Sequence, residues 1–155
     1  MKKILLVFCF LVGLSVRAVA DGSLEFGSSY HDAIVSIKAQ LGSPVTESSD
    51  TLIYKNIDYC GFRWDQVVFR FRNGILTETR CYMYQASKDR AVGRLSAIAK
   101  EMEKTHVMTM DYEDDGTVFY AGGRSPEGYG HLFTIYASPY RGRWSAQLRF
   151  GPFAL

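Results

Sequence analysis

The sequence predicts an α+β domain: an antiparallel meander of about six to seven strands with two helices packed on one face. Three observations carry this. Two stretches place apolar residues at helical spacing, and each is followed by a run of strand-like segments. The joints between those segments read as tight turns, which force neighbouring strands to run antiparallel. Because helix-then-strands occurs twice, the order also allows two α-β-β-β(-β) repeats.

In the first helix, Tyr30, Ala33, Ile34, Ile37 and Leu41 make one apolar stripe. Ser29 stands at the N-cap position and Asp32 falls in the first turn, where a negative charge meets the positive helix end. Gly42 stops the helix and Pro44 keeps it from resuming. Residues 21–28, ahead of it, read as a loose lead-in. The second helix spans roughly Ser87 to Lys104, with Ala91, Leu95, Ile98, Ala99 and Met102 as its stripe and Gly93 as a weak point.

The first strand covers residues 51–60. In the next, Val67, Phe69 and Phe71 alternate with Val68, Arg70 and Arg72. Asn73-Gly74 then gives a two-residue type I′ hairpin, because both central residues of that turn need positive φ. This pairs Arg72 with Ile75 and Phe71 with Leu76, and puts Phe71 and Leu76 on one face. Four further strands follow the second helix, with turns at Asp115-Gly116 and at 139–142 and a loop at 123–130.

Residues 1–20 read as a cleaved secretory signal: Lys2 and Lys3, then an apolar run, then Ala18 and Ala20 at a cleavage site. The run is too short for a stable membrane span, and Cys9 lies inside it, not at the cleavage point where a lipid-bearing cysteine would stand. The expected product is therefore periplasmic or secreted. Of 18 basic residues, Lys2, Lys3 and Arg17 leave with the signal, so 15 remain against 16 acidic ones. No basic block survives, so nucleic acid is not an expected partner. Residues 21–155 suffice for one domain with one core.

Asp111, Glu113 and Asp115 alternate ahead of Gly116, as in the first half of a calcium loop. Such a loop needs a bidentate Glu at its twelfth position and flanking helices. Here that position is Gly122 and the flanks are β-prone, so the stretch predicts a turn between strands. His31, His106 and His131 show no metal-ligand spacing. No glycine-rich phosphate loop opens a helix. No metal and no cofactor are expected.

Cys60 and Cys81 are the cysteines outside the signal. A simple meander puts a strand between them and separates them by roughly 9–10 Å, beyond disulfide reach. A bond would need Cys60 to swing away at permissive Gly61. Two buried thiols is the other reading.

Aromatic and arginine residues intermingle: Trp64, Tyr82, Tyr84, Tyr129, Tyr136, Tyr140 and Trp144 with Arg63, Arg70, Arg72, Arg80, Arg141 and Arg143. Partner-binding surfaces are enriched in these types, although tyrosine and tryptophan are also favoured in strands. Trp64, Tyr129, Tyr140, Arg141, Arg143 and Trp144 are the candidate binding residues. The side of the sheet away from the helices is the place expected to hold a partner.

Leu41, Gly42, Pro44, Tyr54, Val67, Phe69, Gly74 and Leu76 form a further pattern: a helix ending in Leu-Gly-x-Pro, a Tyr-bearing strand, then an apolar strand and turn. In these residues the chain resembles small exported bacterial α+β domains, the outer-membrane assembly lipoproteins and the β-lactamase inhibitor protein among them. The resemblance covers the first half of residues 21–155 and implies a fold class. The lipid-bearing cysteine and the lipoproteins' helix start are missing here.

The function expected from all this is a non-enzymatic exported binding module for a protein in the cell envelope or outside it, as scaffold or inhibitor. Two other readings compete with it. One is a small thiol enzyme or hydrolase built on Cys60 or Cys81; the other is a carrier with an aromatic-lined pocket for a small ligand.

Overall fold

The computed structural model describes residues 24–155, so the secretory signal expected over residues 1–20 lies outside the described residues. The elements are α1 (Tyr30–Leu41), β1 (Thr46–Glu47), β2 (Thr51–Tyr59), β3 (Phe62–Arg72), β4 (Ile75–Gln85), α2 (Lys88–Met102), β5 (Met108–Tyr112), β6 (Val118–Gly122), β7 (Phe133–Tyr140) and β8 (Arg143–Phe150). The fold class is α+β with an antiparallel sheet, and the sheet has eight strands, not six or seven. The strand missed in the sequence is β1. Its two residues are exposed, so no alternation marks it.

The strand order is β1-β2-β3-β4-β8-β7-β6-β5. Each half is a helix followed by a four-strand meander, and the two meanders join into one sheet where β4 pairs with β8. Two of the hairpin turns are of a kind the residue types conceal. Asn73 (φ 52°) and Gly74 (φ 74°) form the expected turn, with Arg72 opposite Ile75 and Phe71 opposite Leu76. Cys60 (φ 49°) with Gly61 (φ 80°), and Arg141 (φ 48°) with Gly142 (φ 75°), adopt the same left-handed pair. Their strands close directly on them, as Tyr59 faces Phe62 and Tyr140 faces Arg143.

Caps set the helix limits. The Ser29 hydroxyl accepts from Asp32 N at 3.2 Å, and Gly42 ends α1 at φ 78°. The Ser87 hydroxyl accepts from Arg90 N at 3.3 Å at the start of α2. Ala33 and Ile37 of α1, and Leu95, Ile98, Ala99 and Met102 of α2, belong to one apolar cluster with Leu52, Phe69, Ile135 and Leu148 of the sheet.

Residues 24–28 are docked and not loose. Gly27 N donates to Leu76 O at 2.9 Å, Leu76 N donates to Ser28 O at 3.0 Å, and Phe26 packs edge-on against Phe153.

Two irregularities re-aim side chains. A bulge at Arg70/Phe71 lets Leu76 and Cys81 both face the apolar cluster despite their odd spacing. Asn56, at φ 49°, interrupts the β2–β3 ladder opposite Asp65. Asp65 accepts from Tyr84 N at 2.7 Å in place of a ladder bond. Trp64 therefore joins Val67 and Phe69 in the apolar cluster, although an unbroken period of two would put it on the other face.

Candidate binding face

Alternation along β3, β4, β8 and β7 divides the sheet. Val67, Cys81, Leu148 and Ile135 point to the apolar cluster, while Gln66, Tyr82, Gln147 and Tyr136, aligned across the same strands, point the other way. Next to that second row runs a third: Val68, Arg80, Arg149 and Thr134. This polar face is ordered by side-chain bonds. The Tyr136 hydroxyl donates to Gln147 Oε1 at 3.0 Å, Gln147 Nε2 donates to Ser145 Oγ at 2.8 Å, and Ser145 Oγ donates to Ser138 O at 3.0 Å.

A single buried carboxylate organises the arginines. Glu78 Oε1 lies 2.6 Å from Arg80 and 2.7 Å from Arg149 Nε, and Oε2 lies 3.5 Å from Arg70 Nε. Burial works to lower the Arg80 pKa, but the hydrogen bond and charge of Glu78 outweigh it and the net direction is up.

Beside this cluster three tyrosines stack. The Tyr82 and Tyr140 rings are 4.3 Å apart between centroids, and Tyr84 lies 6.3 Å from Tyr82 and 6.4 Å from Tyr140, with all three nearly parallel. Arg143 sits 5.6 Å over Tyr84 and Arg141 5.3 Å over Tyr140, distances at which a guanidinium is attracted to the ring face. The Tyr82 hydroxyl is buried beside Arg80 without a well-formed hydrogen bond, and the same holds for Arg80 Nε. Burial pushes the Tyr82 hydroxyl up to about 12, with Arg80 pulling weakly the other way; burial also raises Tyr84.

The structure gathers some of the six candidate residues and scatters others. Tyr140, Arg141 and Arg143 come together on the polar face. Trp144, one residue on, points to the opposite side, where Lys88 at the start of α2 lies 5.7 Å over its ring. Trp64 is fully buried and its indole N–H donates to Tyr59 O at 2.7 Å, so it is a core residue and offers no surface to a partner. Tyr129 is 73% exposed and lines a surface groove of about 620 Å³ with His106, Arg124 and His131. It belongs to the loop before β7, whereas Tyr140 ends that strand, roughly 23 Å away along the chain direction. Tyr82 and Tyr84 were visible in the sequence only as members of a mixed list. Glu78, Gln147 and Arg149 were missed, although Ser145, Gln147 and Arg149 alternate with Ala146, Leu148 and Phe150 in β8.

Cys60 and Cys81 are buried thiols and not a disulfide. Cys60 occupies the β2–β3 turn. Burial pushes Cys81 well up, and the nearby Cys60 adds to this. Nucleophilic catalysis needs a thiolate in an electropositive, accessible setting, and the Cys81 environment is the reverse.

The acidic stretch forms the β5–β6 turn. Glu113 N donates to Thr117 O at 2.8 Å, Asp111 accepts from Tyr112 N, and Asp115 accepts from Thr117 N at 2.9 Å while pairing with Lys88 at 2.5 Å. The Lys88 bond is the chief reason the Asp115 carboxyl is held well below the usual carboxylate range. Among the described residues no three His, Cys, Asp or Glu side chains are grouped to hold a metal ion, and no helix is long and apolar enough to cross a membrane.

No protein-family model, curated protein or solved structure matches the chain.

Proposed function

We propose that the protein is an exported, non-enzymatic binding module that holds a protein partner on the polar face of its sheet, with both helices on the opposite face. The carrying observation is the pair of partly exposed rings Tyr84 and Tyr140, backed by the fully buried Tyr82 ring, with Arg143 and Arg141 over them. Tyrosine and arginine supply large contact area at low entropy cost and dominate the energetics of protein interfaces. Strand-mounted side chains meet a partner already positioned, which reduces the ordering penalty of association. Export rests on the Lys2-Lys3 start, the apolar run and the Ala18-x-Ala20 ending. Envelope scaffold and secreted inhibitor are both roles within this class.

The test is capture from a cell-envelope extract by immobilised residues 21–155. A retained protein should be lost by about tenfold or more with Tyr140→Ala/Arg143→Ala. Trp144→Ala, on the other side of the sheet, should retain it. Equal retention by the double variant would remove this face as the binding site.

A further inference from the structure

We infer that the polar face selects an acidic protein segment, one that presents an aspartate or glutamate beside an apolar or aromatic group. This rests on the reading of that face as the binding face.

Charge is the first reason. Arg70, Arg80, Arg141, Arg143 and Arg149 cluster there against three carboxylates, Glu78, Asp65 and, beside Arg70, Asp50. Residues 21–155 carry 15 basic against 16 acidic residues, so this excess is local and the rest of the surface is correspondingly acidic. A concentrated field of one sign steers a partner of the other.

Donor geometry is the second reason. Each guanidinium has five N–H donors, and a carboxylate offers about four lone-pair sites. Glu78 therefore cannot satisfy Arg70, Arg80 and Arg149 together. It does hold Arg80 and Arg149 at 2.6 and 2.7 Å while their side chains keep 22% and 29% exposure. The forks are thus fixed in place with donors to spare, a state suited to receiving a second carboxylate in bidentate contact.

The third reason is what lies beside the arginines. Arg80, Tyr82 and Tyr84 occupy every second position of β4, so the arginine cluster and the outer ring of the stack stand about 13 Å apart. A segment with an acidic residue and an apolar or aromatic group at that separation would engage both. Affinity for a phosphate polymer grows with the number of phosphates that Lys and Arg neutralise, and here the charge of Arg80 and Arg149 is already partly neutralised by Glu78.

Nuclear magnetic resonance of residues 21–155, following arginine Nε–H and tyrosine ring signals, tests this with deca-glutamate, deca-lysine and dextran sulfate as probes. Deca-glutamate should shift the Arg80, Arg149 and Tyr84 signals saturably. Arg70→Gln/Arg143→Gln should weaken that binding about fivefold, and added salt should weaken it further. Silence on this face, an equal response to deca-lysine, or a response to dextran sulfate alone would overturn the inference; the last would mark a surface for sulfated or phosphorylated polymers.

The captured partner separates the two claims. Tyr140→Ala keeps every arginine, whereas Arg70→Gln/Arg143→Gln keeps every ring. Capture lost in the first and unchanged in the second, at any salt concentration, would overturn the acidic preference and leave the binding face standing. Capture unchanged in both would remove the face and the preference together.

Discussion

Tyr54 and Tyr82 are both buried tyrosines, and they differ in what their hydroxyls find. Tyr54 donates to Gly42 O at 2.9 Å and so ties β2 to the end of α1. Tyr82 has no well-formed bond. A satisfied hydroxyl contributes about 1 kcal/mol, while a buried one without a partner contributes nothing or costs. Tyr54→Phe should therefore lower the free energy of unfolding in urea by about 1 kcal/mol, and Tyr82→Phe should leave it within about 0.5 kcal/mol or raise it. Burial pushes both hydroxyls up to about 12, with Glu47 adding to the effect at Tyr54 and Arg80 opposing it at Tyr82. An unfolded tyrosine titrates near 10. Between those values the native state holds protons that the unfolded state has lost, so stability is level below about pH 10 and falls as pH rises toward about 12. Tyr82→Phe should make that alkaline fall shallower.

Two glycines show how differently the elements tolerate the same added methyl group. A Cβ at Gly122 in β6 would lie 2.6 Å from Met108 Cγ of β5, 2.8 Å from the Val107 O just before it and 2.9 Å from Phe133 Cζ of β7, so the three strands approach one another through its missing side chain. Gly122→Ala should lower the free energy of unfolding by about 1–3 kcal/mol. A Cβ at Gly93 in α2 meets nothing within 4 Å and the residue is helical, so Gly93→Ala should raise it by about 0.5–1 kcal/mol. Thermal melting of both variants checks the pair. What was legible in the sequence was mostly of this local kind. The capped helices and the Asn73-Gly74 register depend on residues a few positions apart. The left-handed residues Cys60 and Arg141 were not legible, since neither type favours positive φ and only the following glycine hints at it. The loop placed at 139–142 also began too early. β7 runs through Pro139, which β6 is too short to pair with and which therefore costs no ladder bond. The turn itself is only Arg141-Gly142.

At the scale of the whole molecule, everything hangs on the β4–β8 seam. No short-range signal could announce it, because Glu78 and Arg149, bonded at 2.7 Å, stand 71 residues apart in the chain. The candidate site was accordingly half legible: Tyr140, Arg141 and Arg143 are neighbours in sequence, while Tyr82, Glu78 and Arg149 reach them only through the seam. Trp64 was not legible as a core residue because the ladder break at Asn56, opposite Asp65, interrupts the alternation that would mark its face. Glu78→Gln would leave Arg80 and Arg149 facing each other across adjacent strands without their shared anion. It should lower the free energy of unfolding by about 2–3 kcal/mol, and amide hydrogen exchange should accelerate first along β8. The seam also imposes a timetable. A polypeptide emerging N-terminus first completes its opening meander with half of the arginine and tyrosine cradle exposed and nothing to face it. Only when the last strand slots in beside β4 is that cradle complete, so under the proposed binding role a half-made copy has no means of occupying a target.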